Sequence, residues 1–194
     1  SQGGLVAFGC VLRELHETAR RANRREILWE PGDKFRLVVL DGASGTAVLD
    51  LAVPFWIKHA LVSPDGRRIL FSQEGPWERQ RMFIGEIATG TYRPLREQAD
   101  GASIGHEFWL SDGRVAYHGR KDRTSFLGVI SPDTGERSER PVPGNGHYAH
   151  FHISPDNRFA VTDGEIGPTE LSAASLASEP LRFVRVAEHH WDRS

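Results

Sequence analysis

The sequence predicts an all-β chain of the β-propeller class, about four blades of a larger ring. Three observations carry that prediction. The chain is rich in short strands of β-branched and aromatic residues, Gly/Asp turns separate them, and one turn pattern recurs at a long, regular interval. The turn aspartates Asp65, Asp112 and Asp156 stand 47 and 44 residues apart. Units of four strands at that period match propeller blades of roughly 40–50 residues. A β-sandwich also spaces its strands evenly, but it predicts no echo of that length with the same turn chemistry.

Taken in order, residues 5–24 are ambiguous. Val11, Leu12, Leu15 and Ala19 have helical spacing in a segment rich in Arg and Glu, so an amphipathic helix competes with an outer strand or insertion loop. From Glu26 the pattern is β throughout. Ile27-Leu28-Trp29 leads to the turn Pro31-Gly32-Asp33, then come Phe35–Leu40, the turn Asp41–Gly45, and Ala47–Leu49. These complete an incomplete first blade, residues 5–53. The unit 54–100 reads strand, Ser63-Pro64-Asp65-Gly66 turn, strand Arg68–Phe71, strand Arg81–Ile87, a Thr89-Gly90 turn and a last short strand. The unit 101–144 repeats this with turns at Ser111-Asp112-Gly113 and Asp133-Thr134-Gly135, and the unit 145–190 repeats it with Ser154-Pro155-Asp156-Asn157. His189-His190-Trp191 read as the approach to another blade. The chain is therefore expected to be an internal piece of a larger propeller, whose free sheet edges are an aggregation liability.

Composition excludes several classes of partner. The 194 residues carry 24 Lys+Arg against 26 Asp+Glu, so no polyanion-binding surface, and hence no nucleic-acid partner, is expected. Cys10 is the only cysteine, which rules out an internal disulfide framework. No apolar run approaches the ~20 residues that span a bilayer, so no membrane partner is expected either. Oligomeric state leaves no mark in the sequence.

The histidines carry the chemistry. His147-Tyr148-Ala149-His150-Phe151-His152 runs into the Ser154–Asn157 turn, and alternation puts His150 and His152 on one face of a strand. Counting back from the turn aspartates, His59, His106 and His150 each stand six residues before Asp65, Asp112 and Asp156. In a propeller the strand before the first turn lines the central channel, and equivalent positions of successive blades are neighbours there. His106, His147, His150 and His152 can then supply an imidazole-rich divalent-metal site, with His59 a fifth ligand or a base beside it. Imidazole ligation by itself suggests Zn, Ni, Cu or Fe over Mg or Ca. Glu107 should face away by alternation. The turn aspartates, Asp163 among them, read as turn formers. Lys58 reads as surface charge, and Trp77 and Trp109 as inter-blade packing.

Three groups of residues together resemble the oligogalacturonate lyases. They are Gly105-His106-Glu107-Phe108-Trp109 with Asp112-Gly113, Glu74-Gly75-Pro76-Trp77 with Gln80-Arg81-Met82, and the His150/His152 strand ending in Thr162-Asp163-Gly164. The resemblance covers about residues 54–190. It implies a seven-bladed propeller that cleaves short oligogalacturonides by β-elimination, with a Mn2+-type cation in its channel. In that family three histidines and a glutamine bind the metal, and a separate histidine is the base. His106, His150 and His152 fall on the three histidine positions, His147 on the glutamine, and His59 on the base. The Gln-to-His departure at His147 favours softer ions than manganese, with Zn, Ni or Fe as alternatives. Arg81, in the Gln-Arg motif, is the candidate for binding a substrate carboxylate, since guanidinium offers bidentate geometry. Family members resembling this chain act on imported oligomers, which implies the cytoplasm, with the periplasm as alternative.

The implied chemistry suits those residue types. β-Elimination removes the proton on carbon 5 of a uronide, next to the carboxylate, and expels the oxygen on carbon 4. A cation on the carboxylate stabilises the developing enediolate, and a neutral imidazole takes the proton near neutral pH. A lyase or hydrolase acting on another uronate fits the same residues. The competing class is a non-catalytic TolB-like propeller, a protein-interaction platform with similar Ser-Pro-Asp-Gly turns, which has no need of channel histidines.

Overall fold

The computed structural model describes residues 4–11, 17, 20–21, 35–73, 80–98, 100–142, 150–163 and 170–188. Their strands form four antiparallel sheets. The first holds β1 (Leu5–Val11), β2 (Phe35–Asp41) and β3 (Ala47–Val53), and the second β4 (Ile57–Val62), β5 (Arg68–Gln73), β6 (Met82–Glu86) and β7 (Tyr92–Pro94). The third holds β8 (Ser103–Trp109), β9 (Val115–Lys121), β10 (Thr124–Ile130) and β11 (Arg137–Pro141). The fourth holds β12 (Phe151–Ile153), β13 (Phe159–Asp163), β14 (Glu170–Ser175) and β15 (Val184–Glu188). Within each sheet every strand pairs with its chain neighbour, the up-and-down order of a propeller blade. The architecture is all-β, that of a partial propeller. Among the described residues no helix is long and apolar enough to cross a membrane.

The ambiguous N-terminal stretch divides in two. Leu5–Val11 is a strand, paired with β2 from Leu5↔Asp41 to Val11↔Phe35. Glu17, Arg20 and Arg21 are helical, with Arg21 Nη2 3.3 Å from Glu17 Oε2, one helical turn away. Several sequence features lie outside the described residues: Ile27-Leu28-Trp29, Pro31-Gly32-Asp33, Glu74–Trp77, His147 and His189-His190-Trp191.

The chain forms two compact units, Ser1–Gln98 and Ala99–Ser194. In the first, alternation along β2 turns Phe35, Leu37 and Val39 inward and leaves Arg36 outside. These three pack with Leu49, Val53, Phe55, Ile57, Ile69, Phe71, Phe83 and Ile87, a core shared by the first two sheets. Phe55 stacks on Phe83 at 4.7 Å between centroids, and Tyr92 stands edge-on to Phe71 at 5.6 Å. Gly9 lets β1 lie against β4, because a Cβ there would come within 2.6 Å of the Cβ of Ile57.

In the second unit, Phe151 and Ile153 of β12 face inward and His152 between them faces out. They pack with Leu110, Ala116, Leu127, Val142, Ala160, Ala174 and Leu181, so the third and fourth sheets share one core. Burying a side chain the size of Phe151 contributes roughly 1.5–3 kcal/mol.

The repeated turns work as the sequence suggests. Arg67 N–H donates to Asp65 Oδ1, Arg114 N–H to Asp112 Oδ1 and Arg158 N–H to Asp156 Oδ1, each at 3.1 Å. The next position is left-handed each time, at Gly66 (φ 72), Gly113 (φ 83) and Asn157 (φ 57). Asparagine tolerates that conformation better than most residues. Asn157 then uses its side chain, donating from Nδ2 to Asp112 Oδ2 at 3.0 Å, while Ser111 Oγ donates to the Pro155 carbonyl at 2.7 Å. The first turns of the third and fourth sheets are thus stitched together.

Candidate functional site

His59, His106 and His150 occupy one position in three sheets, and the local backbone is irregular at two of them. On β4 the register slips between Ile57 and Ala60, so Lys58 and His59 share the place opposite Ser72. On β8 it slips between Gly105 and Glu107, leaving His106 as the extra residue, with φ 43. Both are β-bulges, which bend a strand and re-aim the side chain at the bulge. His150 immediately precedes β12, whose first pair is Phe151↔Thr162.

The residue opposite this position on the second strand is Ser72, His118 or Asp163. Ser72 Oγ accepts the His59 backbone N–H at 3.1 Å. Asp163 Oδ1 accepts the His150 backbone N–H at 2.7 Å, and Oδ2 lies 2.7 Å from the His150 ring Nδ1. Thr162 Oγ1 donates to the His150 carbonyl at 2.9 Å. Asp163 is therefore more than the turn former that its Asp-Gly sequence suggests. Burial pushes its carboxyl up, but the hydrogen bonds from the His150 ring and amide, with the attraction of that ring, outweigh burial and hold it below the usual carboxylate range.

In the second unit, first strands of neighbouring sheets bring equivalent residues side by side. The His106 and His150 rings meet edge to face, 4.6 Å between centroids and 68° between planes. Two residues on, Phe108 stacks on His152 at 5.1 Å. His118, which the sequence reading passed over, has its ring 6.3 Å from that of His106 and 5.7 Å from Phe151. A histidine on a second strand carried no repeat signal. His106 and His118 are half-buried, and His150 and His152 are exposed.

The remaining candidates are placed individually. His147 lies outside the described residues. His152 lies on β12, two residues after His150, and its ring packs on Phe108. His59 is half-buried on β4 of the first unit. Arg81, just before β6, is buried at 6% exposure; its backbone N–H donates to Gln98 Oε1 at 2.5 Å and its guanidinium reaches the Gln73 carbonyl at 3.5 Å. Glu107 is buried and Lys58 exposed. Among the described residues no three His, Cys, Asp or Glu side chains form a ready-made metal cage. What the structure does bring together is the imidazole pair His106/His150, two borderline-soft nitrogen donors with a carboxylate behind one of them. That donor set fits a divalent transition ion.

Comparison with known proteins points one way. The chain is 28% identical over 176 residues to the oligogalacturonide lyase of Pectobacterium atrosepticum, a match covering 80% of this chain and 44% of that protein. It is 27% identical over 157 residues to the oligogalacturonate lyase of Dickeya dadantii, covering 77% and 40%. The chain resembles the oligogalacturonate lyases. It spans less than half the length of either relative. A solved oligogalacturonate lyase in complex with manganese superposes with a TM-score of 0.80 at 23% identity, covering 98% of this chain and 52% of that one. TolB from Acinetobacter baumannii shares the fold more distantly, with a TM-score of 0.57 at 13% identity over 79% of this chain and 38% of that one. No protein-family model matches the chain.

Proposed function

We propose that the protein carrying this chain is a divalent-metal-dependent lyase that cleaves oligogalacturonides by β-elimination. The observation that carries the proposal is the meeting of His106 and His150 at 4.6 Å, from positions equivalent in two successive repeats. The similarity to oligogalacturonate lyases supports the substrate class, and the manganese in a solved relative supports Mn2+ as the ion. An interaction propeller of the TolB kind gains nothing from two converging imidazoles.

His106 and His150 would hold the ion, with His147 and His152 as the further ligands the resemblance implies. Once bound, such a cation supplies Lewis-acid stabilisation of the charge that develops at the uronate carboxylate. The chain's own residues do the rest. His59 takes the carbon-5 proton on a ring nitrogen, and its backbone is held at the bulge by Ser72 Oγ. Arg81, whose guanidinium the resemblance implies for a substrate carboxylate, would act as a buried anchor, at 6% exposure and 3.5 Å from the Gln73 carbonyl.

The test uses the full-length protein, stripped with chelator, reloaded with Mn2+ and given digalacturonate. Formation of an unsaturated uronate is followed by absorbance, beside a His59→Ala variant whose metal content is measured. Metal-dependent turnover that His59→Ala abolishes without loss of metal is the expected result. Absence of metal binding would remove the site, and metal binding without turnover on any uronate would remove the substrate assignment.

A further inference from the structure

The His150 side chain is 56% exposed while that of Asp163, which holds it, is 12% exposed. One is reachable from solvent and the other is set in the sheet. Asp163 grips His150 at two points, the backbone amide through Oδ1 and the ring Nδ1 through Oδ2, both at 2.7 Å. The neighbouring Thr162 hydroxyl holds the His150 carbonyl at 2.9 Å. Backbone N–H, backbone C=O and ring are thus all fixed by two consecutive residues of β13, so the imidazole has little freedom to turn.

An ionised carboxylate has only lone pairs to offer, so the proton between Asp163 Oδ2 and the ring must sit on Nδ1. A neutral imidazole carries one such proton, which leaves Nε2 as the nitrogen with a free lone pair. We propose that Asp163 is the positioning residue of this centre, locking His150 in the Nδ1-protonated tautomer so that Nε2 is presented as its ligating atom. The inference deepens the metal-dependent reading above and rests on it for the identity of the ligand, though the tautomer itself does not.

The comparison within the molecule sharpens this. Ser72 occupies the same position opposite His59 and caps the same backbone amide, at 3.1 Å. A serine has one oxygen, and its hydroxyl can both donate and accept, so it imposes no tautomer on a ring. Asp163 has two, and the second is spent on the ring. The two repeats therefore share the backbone cap, and Asp163 adds control of a tautomer.

The experiment is 15N-edited NMR of the histidine rings in the metal-free full-length protein, with His150 assigned by its loss in His150→Gln. Wild type is expected to show Nδ1 protonated and Nε2 bare. In Asp163→Asn the side-chain carbonyl keeps the amide cap and the NH2 faces the ring, so the proton should move to Nε2. Binding of Mn2+, read by the electron paramagnetic resonance of the free ion, should weaken about 10–100-fold in that variant, the usual effect of losing a partner behind a ligating histidine. Wild-type His150 protonated at Nε2 would overturn the proposal, and this measurement needs no variant to fold. So would an Asp163→Asn protein that keeps the wild-type tautomer, or one that switches tautomer yet binds Mn2+ as well as wild type does. If wild type binds no metal at all, the proposed function fails, while the tautomer measurement still decides the role of Asp163 toward the ring.

Discussion

Two glycines on adjacent strands of the third sheet are each roofed by an aromatic ring of the partner strand, and the arrangement predicts a severe Gly→Ala effect. Gly128 pairs with Tyr117 and Gly119 with Phe126. A Cβ added at Gly128 would come 2.3, 2.4 and 2.8 Å from three Tyr117 ring carbons. Gly128 has no left-handed φ, so alanine is at ease in the backbone and only the collision counts. The ring cannot step aside freely. It is fully buried, its hydroxyl donates to Glu139 Oε1 at 2.7 Å, and Phe126 stands edge-on at 6.2 Å. Overpacking one methyl costs about 1–3 kcal/mol. Dragging the hydroxyl off a charged acceptor costs roughly 1.5–3 more. Alanine's smaller loss of backbone freedom returns about 0.5–1. Gly128→Ala should therefore lose about 1.5–5.5 kcal/mol of a stability that for most domains is only about 5–15. Urea unfolding followed by circular dichroism measures it. In the double variant Tyr117→Leu/Gly128→Ala the penalty should largely vanish, a coupling of about 0.5–3 kcal/mol. A Gly128→Ala protein as stable as wild type, or a double-mutant cycle with no coupling, would refute the reasoning.

Three further outcomes are expected. Thr162→Val keeps the shape of a side chain at 1% exposure and removes the hydroxyl that donates to the His150 carbonyl; it should cost about 1 kcal/mol in urea unfolding. Arg140 reaches from β11 to the Leu176 carbonyl at 2.8 Å and to the Ser178 carbonyl, so Arg140→Met should cost about 1.5–3 kcal/mol, nearly all from those carbonyl bonds, because its partner Glu179 is 77% exposed and Glu179→Gln should be close to neutral. The turn carboxyls are held below their ordinary value, Asp65 chiefly by the Ser63 hydroxyl, Asp112 by the Arg114 guanidinium and Asp156 by the Ser154 hydroxyl. Their stabilisation is present above the unfolded value of about 3.9 and is lost as pH falls through the lower folded values. Urea midpoints should accordingly drop below about pH 4, with a shallower slope in Asp112→Asn.

The repeat was legible because its marks are local. Ser-Pro-Asp-Gly fixes a hairpin through bonds spanning two residues, so the turn, its left-handed fourth position and the flanking strands can all be read from four letters. The bulges at His59 and His106 were not legible, since an extra residue in a strand leaves composition and turn chemistry unchanged. Asp163 was misread for a related reason. Asp-Gly after a strand is ordinary turn sequence, and only the pairing of β12 with β13 shows that this carboxylate faces a histidine thirteen residues earlier. The strand Leu5–Val11 was hidden because Val11, its last residue, also begins the helical spacing that continues through Leu12, Leu15 and Ala19.

Counting back from the turn found the histidines even though the repeats differ in length, and the hydrogen bonds explain why. From His59, His106 and His150 the first hairpin bond begins four residues on, at the N–H of Ser63, Leu110 and Ser154. That interval contains only first-strand residues, whose rise per residue is fixed by the ladder. Variation enters later in each unit. The second and third strands of the second sheet are separated by residues 74–81, whereas in the third sheet Asp122-Arg123 closes the same hairpin in two residues, both left-handed at φ 48 and 67. A change of hairpin length there shifts nothing upstream. His106 therefore still meets His150, and Phe108 still meets His152, across sequence separations that no periodicity within a strand could predict. Chemistry placed on the first strand of each repeat is insulated from the loops that vary around it.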